Sequence, residues 1–257
     1  MPKVGWVTDH HNHQGRQFSV KNFRDTVPEG IEIVDIDLTQ PAECDLYIVH
    51  AATVPKNLPL FPKSLKPGTS KLRPVIMYAY QPEVWSFGAN AVIYQSPLQA
   101  SQHKFGKKFI IPPPIVDADW VNKQEVERQP KALWCGNATK EEGFDIAVRW
   151  AETEKTETHF FGALVPKGSD TNTSKFLGWM DHENMPEILH SYQKLIYFPR
   201  ETRPFDRVLA EALLCGVELE VWGYLGIESF EEPLGKVVEM CQNSTGEFWG
   251  VIQDFLP

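Results

Sequence analysis

The stretch Tyr197–Gly216, YFPRETRPFDRVLAEALLCG, carries three arginines, Arg200, Arg203 and Arg207. The apolar run Leu195–Phe198 stops at Pro199, and Asp206 opens an amphipathic run that ends at Gly216. The order reads as a strand, a cation-rich loop and a helix start. The unpaired amides and the dipole of a helix N-terminus attract anions, which makes the stretch a candidate phosphate site. The competing reading is that Arg207 and Glu211, four apart, pair along the helix.

Two other loops carry chemistry-bearing side chains. In GNATKEEGF, Gly136 permits close backbone approach and Lys140 offers a cation for a phosphate; a turn followed by a solvated charge cluster accounts for the same residues. In TDHHNHQGRQF, Asp9, His10, His11 and His13 are potential metal ligands. Adjacent histidines in a loop rarely converge on one ion, and the H-x-x-x-H helix spacing of zincins is absent. No metal is therefore expected; a polar loop turning at Gly15 before a helix from Phe18 is the preferred reading. His50, at the end of an apolar run, is either a polar contact for substrate or a satisfied buried histidine. No G-x-S-x-G, Walker A or G-x-G-x-x-G pattern is present, which weakens hydrolase, P-loop and NAD-binding readings.

These loops need strands to hold them. Lys3–Val7, Ile31–Ile36, Asp45–His50, Pro74–Tyr80, Ala91–Tyr94 and Lys107–Ile111 are short, β-rich and bounded by turn residues. Ala132–Gly136, Thr158–Gly162 and Lys194–Phe198 continue the set after a proline-rich segment that begins at Pro112. Near-continuous apolar strands with helical segments between them predict parallel sheets covered on both faces. Helices are expected around Ile146, Ala147 and Trp150, over MPEILHSY with Pro186 in its first turn, and over the closing STGEFWGVIQDFL. In that last segment Ser244 and Glu247 form a capping-box pattern and Phe248, Ile252 and Phe255 an apolar stripe. The expected division is an α/β domain at 1–115, a linker at 116–130 and a second α/β domain at 131–257. In doubly wound sheets ligands bind beyond the strand C-termini, so the strand-end loops of both domains should face a common cleft.

Composition bounds the rest. The 257 residues hold 42% hydrophobic and 23% charged side chains, as in soluble globular proteins. No apolar run reaches the roughly 18 residues of a membrane span, and MPKVGWVTDHHNH lacks the apolar core of a signal peptide, so a cytoplasmic protein is expected. Cys44, Cys135, Cys215 and Cys241 match no zinc spacing and read as buried free thiols. The net charge of −9 argues against broad binding of nucleic acid or anionic membrane.

The ordered series of motifs resembles the GT-B glycosyltransferases, particularly the compact single-chain type common in bacteriophage and bacterial genomes. PRETRPFDRVLAEALLCGVE, Pro199 to Glu218, is similar to that group's "P…EPFGR…EA.L.GCE". VIYQSPLQ…IPPPIVDADW resembles its "QSPLH…PPPVD", and LWCGNATKEEGFDIAVRWA the opening of its donor domain. FLGWMDHENMPEILHSY resembles its "G-x-V…MP-x-LL" step, FWGVIQDF its closing helix, and HQGRQFSVKNF, more weakly, its "GGAELS" loop. The resemblance covers nearly the whole chain. It implies two Rossmann-like, doubly wound domains, with the C-terminal helix packing back toward the N-terminal domain. It also implies a nucleotide-sugar donor, no metal cofactor, and transfer of a hexosyl or pentosyl group to a hydroxyl.

Carried over by position, the donor site comprises Gly136, Asn137, Phe205, Asp206, Arg207 and Glu211, with Glu211 at the carboxylate that holds the nucleotide ribose. Lys140, Arg203 and His50 are the expected catalytic residues; Lys140 and Arg203 would stabilise the leaving diphosphate. Four positions depart from the pattern: Arg203 replaces the first acidic residue of E-x7-E, Asp206 the glycine of PFG, Asn137 an arginine and Glu142 a lysine. On the acceptor side stand Gly15, Arg16, Tyr78 and Tyr80, with Trp85. The aromatic residues would stack a sugar or a flipped base, or pack in the core. The expected acceptor is a hydroxymethylated DNA base of a phage, met by a basic strip of Arg16, Lys21, Arg24, Lys104, Lys107 and Lys108. The alternatives are a surface glycan or small-molecule acceptor, a nucleotide-sugar binder without activity, and an interaction protein with an empty cleft.

Overall fold

The computed structural model describes residues 1–8, 14–36, 42–51, 74–80, 89–103, 107–115, 127–223 and 225–257, the side chains of residues 14–18 and 51 excepted. Two compact units divide the chain. The first comprises Met1–Pro114 with Met240–Pro257, and the second comprises Ile115–Glu239.

In the first unit, β1 (Lys3–Thr8), β2 (Glu32–Asp35), β3 (Leu46–Ala51), β4 (Val75–Ala79), β5 (Ala91–Tyr94) and β6 (Lys107–Ile110) form one sheet. Its order is β2-β1-β3-β4-β5-β6, and every pairing is parallel. The central strands are buried along their length, which is why they read as unbroken apolar runs. Helix α1 (Gln14–Asp25) joins β1 to β2 and begins ahead of the expected Phe18. Helix α2 (Pro97–Ser101) follows β5, with the Ser96 side chain accepting from the Gln99 amide.

The second unit carries β7 (Gln129–Cys135), α3 (Phe144–Glu154), β8 (Thr158–Phe161) and β9 (Ser174–Gly178). Then come α4 (Met185–Ser191), β10 (Tyr192–Tyr197), α5 (Arg207–Leu214) and β11 (Glu218–Val221). Its parallel sheet runs β11-β10-β7-β8-β9. Strands β9 and β11 are not foreseen from the sequence. Both are edge strands with exposed or half-buried positions, and their Ser-Lys and Glu-Leu-Glu stretches break the apolar signal.

The closing helix α6 (Leu234–Phe255) starts in the second unit, and its residues from Met240 belong to the first. Phe248, Trp249 and Ile252 sit in one core with Trp6, Phe23, Ile48 and Tyr78. Phe248 stacks on Phe23 at 4.1 Å, and Trp249 Nε1 donates to Phe23 O at 2.8 Å. The expected capping box at Ser244 is not a helix start. Ser244 lies inside α6, and its hydroxyl donates to the carbonyl of Met240 at 2.8 Å, the back-bonding that lets serine sit within a helix. All four cysteines are buried, and none forms a disulfide among the described residues. No helix among the described residues is long and apolar enough to cross a membrane.

Candidate functional site

In the sheet of the second unit the strand order reverses between β7 and β10. A doubly wound sheet opens a crevice at that point, beyond the strand C-termini. The loops that flank it are 136–143 after β7 and 198–206 after β10, the two that the sequence singled out. They are joined through the backbone. The Arg200 amide donates to Glu141 O at 2.9 Å. Gly143 has φ +70, and a Cβ there would stand 1.8 Å from Phe198 O. Gly143 is thus needed for contact between the loops. Gly162, after β8, has φ +137, and its Cβ would stand 1.7 Å from Gly136 O. Gly136 is half-buried, so the close approach at this point depends on Gly162.

Each arginine of the stretch meets a carboxylate. Arg200 Nη2 is 2.6 Å from Asp145 Oδ2, Arg203 Nη2 is 2.9 Å from Glu142 Oε1, and Arg207 Nε is 2.5 Å from Glu211 Oε1. The Tyr197 hydroxyl donates to the other Glu142 oxygen at 3.1 Å. Two of the departures noted in the sequence therefore compensate one another. Arg203 stands where the resembled pattern has an acid, Glu142 stands where it has a lysine, and the two form a pair. Lys140 is exposed and makes no ion pair among the described residues. Asn137 is exposed as well.

Glu211 is 3% exposed. Besides Arg207, it accepts a hydrogen bond from His182 Nε2 at 2.9 Å. Burial pushes its carboxyl toward the neutral form, but Arg207 and His182 outweigh burial and hold it below the ordinary glutamate range. The helix pairing of Arg207 with Glu211 is present, on a helix that follows the loop after β10. His182 is a residue that the sequence reading missed. It sits in a short 3₁₀ turn after β9, and only the missed strand would have flagged it as lying at a strand end.

Asp206 occupies the N-cap of α5, yet its side chain makes no capping bond. The first helical bonds run to its carbonyl from Leu209 N at 3.1 Å and Ala210 N at 3.4 Å, so the earlier amides are of the kind that a helix leaves to an outside partner. Asp206 is 5% exposed, and its Oδ2 is without a hydrogen-bond partner among the described residues. Burial pushes its carboxyl up to about 7, against the opposing pull of the Tyr197 hydroxyl and Arg203. Burial and the neighbouring Asp206 and Glu142 also raise the Tyr197 phenol. Phe205 is buried with its ring edge-on to Phe230 at 6.4 Å. Trp179 and Trp222, which follow β9 and β11 at the two edges of the sheet, are each more than half exposed.

In the first unit, His50 and Tyr78 are interior residues. His50 is fully buried 4.3 Å from the Trp6 ring, and its Nδ1 meets the Tyr80 hydroxyl at 3.1 Å. Tyr78 is fully buried with its hydroxyl donating to Ile111 O. For both, the packing reading applies, and neither presents an accessible polar group for catalysis or the acceptor; Tyr80 is half-buried. Gly15 and Arg16 lie on α1. The expected basic strip is divided. Arg24 is held by both oxygens of Asp35 on β2, at one edge of the sheet, and Lys21 pairs with Asp25. Lys107 and Lys108 lie on β6 at the other edge, about 24 Å away at about 4.8 Å per strand. Asp9, His10, His11, His13, Trp85 and Lys104 lie outside the described residues; within them no three His, Cys, Asp or Glu side chains gather as a metal site.

No family model and no curated protein sequence matches the chain. Solved structures do match over nearly its full length. The glycosyltransferase AviGT4 of avilamycin A biosynthesis is similar at 14% identity and a TM-score of 0.61, over 96% of this chain and 91% of that one. The Anabaena protein HepE in complex with UDP-glucose is similar at 14% identity and a TM-score of 0.63, over 95% and 92%. The catalytic domain of starch synthase IV from Arabidopsis thaliana, bound to ADP and acarbose, is similar at 10% identity and a TM-score of 0.54, over 96% and 78%. With the two parallel sheets, these likenesses establish the GT-B fold.

Proposed function

We propose that this GT-B chain transfers a sugar from a nucleoside diphosphate sugar to a hydroxyl acceptor. The observation that carries the reading is that, at the β7/β10 switch point, the loop that leads into α5 and bears Arg203 is joined to the loop that bears Lys140. In the reaction the bond between the sugar's anomeric carbon and the diphosphate oxygen breaks. A bond to the acceptor oxygen forms, and the acceptor proton leaves. Negative charge grows on the departing diphosphate. Lys140 and the amides ahead of Leu209 stabilise that charge, with Arg203 held at the loop by Glu142. Preorganised donors of this kind contribute about 2.7–4 kcal/mol each. Glu211, being buried, acts by holding Arg207 and His182 in place, with little surface left for the ribose. The proposal assigns no metal to the step.

The acceptor reading that fits the charges is a glycan end or hydroxylated small molecule. A hydroxymethylated DNA base is disfavoured: duplex binding rests on neutralising phosphates, and Arg24 and Lys21 are already paired with carboxylates.

A second reading, a nucleotide-sugar binder without transferase activity, is favoured by the carboxylate on each of the three arginines. Mass spectrometry of ligand retained after exposure to mixed nucleotide-sugars, followed by transfer and hydrolysis assays with the retained donor, separates the readings. Retention with turnover supports the enzyme. Retention without turnover supports the binder, and no retention rejects both.

A further inference from the structure

Asp206 combines three properties that its side-chain hydrogen bond with Tyr197 does not account for. It is an N-cap aspartate, a residue type strongly preferred there because its oxygen satisfies the helix amides, yet it does not cap. It is 5% exposed, and Oδ2 is left without a partner among the described residues, an arrangement that costs about 1–3 kcal/mol for a buried polar group and more for a charged one. It also stands at the helix start where the proposed donor brings its own negative charge. An ionised carboxylate at that place would repel a diphosphate.

We infer that Asp206 binds the anionic donor in its protonated form, taking one proton from solvent and donating a hydrogen bond from Oδ2 to a phosphate oxygen. This rests on the reading that the diphosphate sits at the start of α5. The groups that face Asp206 are consistent with it. Tyr197 from the end of β10 and Arg203 from the following loop favour the ionised form, whereas Glu142 from the loop after β7 and Glu228 from the turn after β11 favour the neutral one. Burial adds to the second set and prevails, placing the carboxyl at about 7 in the free protein. Arg207, next along the chain, is committed to Glu211. An incoming anion adds one more negative neighbour, so the proton is held more tightly in the complex.

The test is calorimetry with the tightest binder among UDP-glucose, GDP-mannose, ADP-glucose and dTDP-glucose. These are pyrophosphate diesters, with no phosphate proton that titrates near neutrality. Titrations across pH in buffers of different ionisation enthalpy count the protons taken up. Affinity should be level on the acid side of about 7 and fall up to about tenfold per pH unit above it. Uptake should approach one proton per donor on the alkaline side. Asp206→Asn, which keeps the shape and donates from its amide, should abolish both the uptake and the pH dependence; thermal unfolding confirms that it folds. Donor binding without proton uptake, or the same pH dependence in Asp206→Asn, overturns the inference and leaves the donor reading standing. No binding of any of the four at any pH overturns both.

Discussion

Arg203 Nη2 lies 2.9 Å from Glu142 Oε1, a pair that ties the loop after β10 to the loop after β7. Both side chains are mostly buried, at 24% and 18% exposure, so solvent screens the pair weakly. Glu142→Lys sets two cations against each other and Arg203→Glu two carboxylates; either alone should destabilise the unit. The double reversal should recover part of the loss, with a coupling of about 0.5–3 kcal/mol in urea unfolding. Strict additivity of the two single changes would show that the loops are not joined through this pair.

Glu211 is the second anchor. Glu211→Ala leaves Arg207 buried without its carboxylate, and should cost about 3–5 kcal/mol. Its carboxyl is held low, so the stabilisation is full above the ordinary glutamate range and is lost as pH falls through the lowered value. The stability gap between wild type and Glu211→Gln should therefore be constant near neutrality and close only in acid. A gap that opens with rising pH would contradict the geometry.

Asp206 has the opposite sign. Its carboxyl is raised, so the folded state binds more protons than the unfolded state between the ordinary aspartate range and about 7. Stability from this group is present at low pH and lost as pH rises toward about 7. Asp206→Asn should therefore stabilise the protein more at pH 8 than at pH 5, with a ceiling of about 4 kcal/mol at about 1.4 kcal/mol per tenfold. Equal effects at the two pH values would mean that Asp206 ionises as an ordinary aspartate.

Gly162 brings the β8 loop against the β7 loop. With φ +137 and Gly136 O at 1.7 Å from an added Cβ, Gly162→Ala should cost about 3 kcal/mol or more. Gly168, also at positive φ but with nothing near an added Cβ, should lose less on the same change. Comparable thermal shifts for the two would remove the loop contact from the account.

The parallel sheets and the position of α5 were legible because buried central strands such as Val75–Ala79 are unbroken apolar runs, and because Asp206 and Gly216 bracket the helical pattern. Edge strands β9 and β11 were not, since a half-exposed strand carries lysine and glutamate without penalty. Ser244 misled because one hydroxyl pattern serves both a cap and a back-bond within a helix. In the site, residue types and the pair within one helix were readable, and the pairs between loops were not. Arg207 and Glu211, four apart on one helix, pair as their spacing suggests; that Arg200 meets Asp145 and that Glu142 answers Arg203 depends on distances between loops far apart in the chain.

A nucleoside diphosphate sugar is proposed to bind at the start of α5. The direct measurement is a titration of the isotopically labelled chain with UDP-glucose, GDP-mannose, ADP-glucose and dTDP-glucose, followed by the backbone amide resonances. At least one donor should produce saturable shifts in the amides of Phe205, Asp206, Arg207 and Val208, together with those of Gly136–Lys140 across the switch point. Saturable binding that leaves these amides unmoved, or no binding by any of the four, would contradict it.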